Sequence, residues 1–167
     1  MLLRAAAEMA PAGTTIAVDS IEGIPLYNQD VEDVGIPSAV QQLKERIVAA
    51  DGLLLVTPEY NNSIPGTLKN ALDWLSRPPS DVPKVFRNRP VGMMGTSSGP
   101  WGTALAQVAW LPVFRTLGVA PFFGGRVLVP RAKDAFDDQG RLKDETIRGQ
   151  VQNYINGFAE FVEARRR

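Results

Sequence analysis

The chain contains neither cysteine nor histidine in its 167 residues, and these two absences exclude more chemistry than any single residue suggests. Without Cys there is no disulfide, no thiolate-held zinc or iron-sulfur cluster and no thiol nucleophile. Without His there is no imidazole general base and no His-based triad. An enzyme built from this sequence is left with carboxylate or Lys chemistry, a Mg²⁺ site made of oxygens, or an organic cofactor with its own reactivity. Charge of one sign is lacking too: Lys and Arg total 18 and Asp and Glu total 18. That balance speaks against a nucleic-acid partner and against the acidic surface of a dedicated electron shuttle. No apolar window approaches the roughly 18 residues of a membrane span, and no signal peptide opens the sequence, so a cytoplasmic location is expected.

What is present is enough apolar residue, 44% of the chain, for a single domain over 1–167 with a substantial core. Periodicity then divides it. Leu2, Leu3, Ala6, Met9 and Ala10 share a helical face that stops at Pro11-Ala12-Gly13. Thr14 to Asp19 reads as a strand, with Ile16 and Val18 alternating against Thr15 and Ala17. After the turn-rich stretch 24–37 a helix carries Val40, Leu43, Ile47 and Val48 on one side. Leu53 to Val56 is an unbroken apolar run of strand length, the pattern of a strand covered on both faces.

A helix from about Pro65 to Leu75 follows, and the Pro-rich segment Arg77 to Pro90 reads as a loop. Val91 to Met94 is the next strand, Gly102 to Leu117 the next helix and Arg126 to Val129 the last strand. Ile147, Val151, Tyr154, Ile155, Phe158, Phe161 and Val162 then mark the final helix, and Arg165 to Arg167 are expected to form its frayed, solvated end. The alternation of strands and helices predicts an α/β fold, a doubly wound parallel sheet with helices on both faces.

In such sheets ligands sit beyond the carboxyl ends of the strands, which directs attention to the loops after Val56 and Met94. The first loop combines Pro58, Tyr60, two residues tolerant of left-handed backbone (Asn61 and Asn62) and a helix entry at Ser63 and Pro65. It can aim backbone N–H groups into the crevice while Tyr60 supplies a flat apolar wall, an arrangement suited to a planar heteroaromatic ligand. From spacing alone, the same loop also reads as a capped strand-to-helix turn with Tyr60 covering core. The second, "GTSSGPWG" from Gly95 to Gly102, places hydroxyls and glycines at a helix N-terminus, where an anion or ring carbonyl would meet donors. It is not a GxxxxGK[ST] phosphate loop.

The stretches "ADGLLLVTPEYNNSIPGTLKNALDWLSRP" and "RPVGMMGTSSGPWGTALAQVAWLPVFRTLG" closely resemble the NAD(P)H-dependent FMN reductases, a family that includes quinone, azo-dye and chromate reductases. The likeness extends from about Leu2 to Glu163. The resemblance implies a flavodoxin-like sheet holding FMN, with the ring over Glu59, Tyr60, Asn61 and Asn62 and with Ser98 touching the cofactor. It implies hydride transfer from NAD(P)H through the flavin to quinones, free flavin or similar acceptors, and no catalytic side chain, which explains how the enzyme manages without His or Cys.

The family opens with a strand and a G-S-x-R-x-x-S-x-N type loop that holds the FMN phosphate, ahead of the helix that Leu2 to Ala10 resembles. Neither is found in these 167 residues. One expectation is that Met1 is an internal Met of a longer protein; the other is a genuinely shortened chain with weakened or lost FMN binding. Loss of the central strand is expected to separate the Thr14 and Leu53 strands and leave two unpaired edges. The helix holding Ala104, Leu105, Val108, Trp110, Leu111, Val113 and Phe114 has almost no polar face, which predicts a cover on its outer side, a second subunit or else loops of the same chain. The family resemblance implies a homodimer or homotetramer. The alternatives are a non-catalytic flavin-binding electron carrier and a structural protein that has lost its cofactor.

Overall fold

The computed structural model describes residues 1–166. Arg167 lies outside them. Helix α1 (Leu2–Glu8) is followed by an irregular stretch, then by α2 (Gln29–Val34), α3 (Ser38–Ala49) and strand β1 (Leu53–Thr57). Next come α4 (Gly66–Leu75), a 3₁₀ turn (Pro79–Asp81), α5 (Val82–Val85), β2 (Pro90–Thr96) and α6 (Ala104–Leu117). The chain continues through β3 (Ala120–Pro121), β4 (Val127–Val129), α7 (Ala132–Ala135) and α8 (Glu145–Glu163).

Every strand pairing is parallel. β2 is central, flanked on one side by β1 and on the other by β3 and β4 laid end to end. The apolar run of β1 is covered on both faces, as its lack of alternation predicts. Leu54 and Val56 pack with α1, α7 and α8, through residues such as Leu2, Ala135 and Ile155. Leu53 and Leu55 pack with α3, α4, α5 and α6, through residues such as Val40, Leu72, Val85 and Phe114. Two core layers therefore enclose one sheet, the doubly wound arrangement expected from the alternation of elements.

The Thr14 to Asp19 strand does not form. Residues 15–20 make no backbone–backbone hydrogen bond, and the segment is held instead by Ile16 against the α1–α8 layer and by an ion pair of Asp19 with Arg46. Alternation alone does not make a strand without a neighbouring ladder, and the β1 edge opposite β2 has none. The β1 edge and the irregular segment border a cavity of about 1710 Å³, lined by residues 11–17, by Leu53–Val56 and by side chains of α3, α4 and α8. We therefore expect the β1 amides not bonded to β2 to exchange with deuterium faster than their alternate neighbours, which face a ladder. Uniform protection along Leu53–Thr57 would contradict this reading.

Three other expectations are refined. The 77–90 stretch is not structureless: it holds the 3₁₀ turn and α5, pinned by the buried Lys44, whose Nζ donates to Asp81 Oδ2 at 2.8 Å and to the Arg77 carbonyl. That ammonium holds the Asp81 carboxyl below the usual carboxylate range. The 24–37 stretch contains α2, capped by the Asn28 side chain, and the segment before it is tied to α4, where Trp74 Nε1 donates to the Pro25 carbonyl. Beyond α8, Arg165 and Arg166 are exposed, as expected of a solvated end, yet both have partners, and Arg167 lies outside the described residues. The Arg165 guanidinium lies 3.6 Å from the centre of the Phe161 ring, and Arg166 pairs with Asp51 at 3.1 Å.

Candidate functional site

The loops after β1 and β2 start side by side, because Thr57 and Gly95 are ladder partners at the carboxyl ends of their strands. Beyond Thr57 the chain makes a miniature hairpin. The Tyr60 N–H donates to the Ser63 carbonyl at 3.2 Å and the Ser63 N–H returns to Tyr60 at 3.0 Å. The two residues between them, Asn61 and Asn62, have φ of 50° and 60°. Positive φ at both central positions is the signature of a type I′ turn, and Asn is the non-Gly residue best suited to it. This turn leaves the Asn61 and Asn62 N–H groups without a partner among the described hydrogen bonds, and both residues are exposed. Tyr60 is 59% exposed, so its ring does not cover core.

The second loop is tied from within and from the side. The Ser97 hydroxyl donates to the Gly102 carbonyl, the Ser97 N–H donates to Val129, and the N–H groups of Arg131 and Ala132 donate to Gly99 and Ser97. Gly102 has φ of +62°, and a Cβ there would lie 2.9 Å from the Leu128 carbonyl carbon, so the turn requires glycine. Ser98, at the loop's outer end, is exposed and its hydroxyl enters no described hydrogen bond. Two residues not singled out from the sequence stand here as well. Trp101 is 78% exposed, and the Thr96 hydroxyl, at the end of β2, is buried without a partner. Only the isolated Trp in a Gly-rich loop was a sequence signal for the former; the latter had none.

Of the five residues expected to meet a cofactor, four carry exposed groups without a partner among the described hydrogen bonds, the Tyr60 ring, the Asn61 and Asn62 amides and the Ser98 hydroxyl, and Tyr60 alone of the five lines the cavity beside β1. Glu59 differs. Its Oε2 accepts from the Leu105 and Ala106 N–H groups at 2.9 Å each, so the carboxylate is already engaged at the start of α6. The helix N-terminus expected to offer donors to a ligand has given these two to the protein itself.

Exposed aromatic faces beside free N–H and hydroxyl groups match a planar ring with polar edges, such as a flavin, and the orphaned Thr96 hydroxyl is a polar group in want of a partner. An open parallel sheet, covered on both faces and carrying such loops beyond its carboxyl ends, belongs to the flavodoxin-like class. The chain is a member of the NADPH-dependent FMN reductase family, whose model matches residues 1–134. It is 42% identical over 160 residues to an NAD(P)H-dependent FMN reductase of Pseudomonas aeruginosa, covering 96% of this chain and 85% of that protein. It is 38% identical over 165 residues to a 2-hydroxy-1,4-benzoquinone reductase of a Burkholderia species, covering 99% and 88%. Among solved structures, FerB of Paracoccus denitrificans, a flavoenzyme NAD(P)H:(acceptor) oxidoreductase, superposes with a TM-score of 0.86 at 29% identity, covering 98% of this chain and 88% of that one. No helix among the described residues is long and apolar enough to cross a membrane.

Proposed function

We propose that this chain is a flavin-dependent NAD(P)H oxidoreductase that reduces quinones or similar small acceptors. The observation that carries the reading is the Tyr60–Ser63 turn, which holds two free N–H groups and an exposed aromatic ring beside the Ser98 loop. FMN would supply the redox chemistry that links NAD(P)H oxidation to reduction of the acceptor. The chain's own residues would bind and orient FMN: the Asn61 and Asn62 N–H groups and the Ser98 hydroxyl are free to donate, and the exposed Tyr60 and Trp101 supply aromatic surface. The quinone and FMN reductases among the relatives support this assignment over an electron carrier or a purely structural protein. A reductase that consumes NAD(P)H also suits the cytoplasmic placement expected from the sequence.

The reading includes a homo-oligomer. Leu105, Val108 and Leu111 on α6 are 49%, 62% and 39% exposed and lie on one side of the helix, next to Trp101. A second copy covering this stripe would bury it and border the crevice. Sedimentation at micromolar concentration is expected to give a dimer or tetramer, and a monomer would remove this part.

The test is a fluorescence titration with FMN and riboflavin, followed by benzoquinone-dependent oxidation of NADH and NADPH with the flavin added and no partner protein. If the two ring loops carry the binding, FMN and riboflavin bind with dissociation constants within about threefold of each other. Turnover without a partner excludes the electron carrier. Absence of flavin binding at millimolar concentration would overturn the proposal.

A further inference from the structure

We infer that Glu59 is a positioning residue, a strut that sets the first ring loop against the second; this rests on the flavin reading above. Helix α6 begins without a local cap: Thr103 makes no side-chain bond to the first-turn amides. Its hydroxyl is turned inward instead, accepting from Gln107 Nε2, which also donates to the Val127 carbonyl. The first-turn N–H groups of a helix need acceptors, and Ala106 is wholly buried, so water does not serve it. Glu59, 46 residues earlier in the chain, supplies the missing acceptor with one oxygen shared between Leu105 and Ala106. Its negative charge also opposes the positive end of the α6 dipole.

The consequence lies in where Glu59 sits. It immediately precedes the Tyr60–Ser63 turn, whose own hydrogen bonds close upon themselves and tie it to nothing else. Among the described hydrogen bonds and ion pairs, the Glu59 carboxylate is the polar link from this loop to the α6 end, just past Ser98 and Trp101. The β1–β2 ladder fixes the strand ends at Thr57 and Gly95 but not the loops beyond them. The strut therefore couples two events. A ring seated on the Asn61 and Asn62 amides restrains Glu59, and Glu59 restrains the Leu105 and Ala106 amides. By linkage, whatever holds the α6 end also favours the ring-ready turn. A carboxylate in a cofactor loop serves here to space the loops rather than to touch the reacting atoms.

The test uses the full chain, with FMN as the probe, and the variants Glu59→Ala and Glu59→Gln. In the unsubstituted chain, FMN is expected to slow deuterium exchange at Leu105 and Ala106. In Glu59→Ala those amides exchange faster and FMN no longer slows them, while the FMN dissociation constant rises about tenfold. Glu59→Gln keeps an acceptor oxygen and is expected to stay within about threefold of the unsubstituted chain, with the FMN-dependent protection retained. A cap with no positioning role gives a different result: Glu59→Ala lowers the melting temperature but leaves FMN affinity unchanged, and that outcome overturns the inference. Failure of the unsubstituted chain to bind FMN overturns the functional reading instead, so the two failures are distinguishable. Should Glu59→Ala not fold, Glu59→Asp, whose shorter stem misses the α6 amides, carries the same expectation and the same refutation.

Discussion

Replacing Gly95 by alanine is expected to destabilise the protein by about 3 kcal/mol, a fall of roughly 10 °C in melting temperature for a chain of this size. Gly95 lies in β2 between Thr57 of β1 and Leu128 of β4. An added Cβ would stand 2.3 Å from both the Thr57 carbonyl oxygen and the Thr103 hydroxyl, and 2.8 Å from the Thr103 methyl. A flexible side-chain tip could turn aside, but the Thr57 carbonyl is backbone beside the ladder, and Thr103 is fully buried and holds Gln107. Relief requires β1 and the start of α6 to move apart, which spreads the two ring loops. Flavin affinity should fall together with stability, by at least tenfold. A Gly95→Ala protein that melts within 2 °C of the parent would show that the close approach of β1, β2 and α6 is not as tight as described.

Tyr154→Phe is expected to cost about 2 kcal/mol near neutral pH, read by urea or thermal unfolding. On the side of β2 away from β1, the ladder lapses between Phe122, whose N–H donates to Val91, and Val127, which pairs with Met94. The Met93 N–H in that gap donates to the Tyr154 hydroxyl at 2.6 Å, so a side chain from α8 takes the place of a strand carbonyl. Phenylalanine preserves the packing against Phe122, whose ring meets Tyr154 edge-on at 5.2 Å, and removes only the acceptor. A part-buried donor is then left unpaired.

The same hydroxyl predicts a pH effect. Burial raises the Tyr154 pKa to about 12, although the Met93 hydrogen bond pulls it the other way. The folded-state value is above the ordinary tyrosine value of 10. The neutral phenol's contribution is therefore complete below pH 10 and declines as pH rises toward 12. The advantage of the unsubstituted chain over Tyr154→Phe should shrink by about 1.4 kcal/mol per pH unit in that window. A constant difference up to pH 11 would mean that the phenol is not buried as the structure has it.

Most elements were legible because their pattern is local. The apolar run Leu53 to Val56 announces a strand between two layers, and the i, i+4, i+7 spacing of α8 announces its buried face. Thr14 to Asp19 was misread for the opposite reason: its alternation is real, but a strand exists only with a hydrogen-bonded neighbour. The short β3 and the Tyr154 substitution in its ladder were invisible, since neither leaves a periodic trace. In the site, Asn61 and Asn62 signalled left-handed backbone and the structure places both there. Glu59 is expected at the cofactor from the family resemblance alone; the partners of its carboxylate, Leu105 and Ala106, are 46 and 47 residues away and leave no trace in local spacing.

The amino-acid sequence alone determined the chemical class and the fold. Composition without Cys or His excludes thiol, thiolate-metal and imidazole chemistry, the family resemblance of the loop motifs points to a flavin, and periodicity and turn residues specify a parallel sheet with two ligand loops at its carboxyl edge. These are properties of residue type and near-neighbour spacing, which a sequence carries explicitly. The tertiary structure alone decided which groups remain free. It assigned the Glu59 carboxylate to α6, the Thr103 hydroxyl to Gln107 and the Tyr154 hydroxyl to Met93, and it left the Asn61 and Asn62 amides and the Thr96 hydroxyl unpartnered. Hydrogen-bonding capacity belongs to each residue, but its allocation depends on what folding brings within about 3 Å, and no local pattern encodes that.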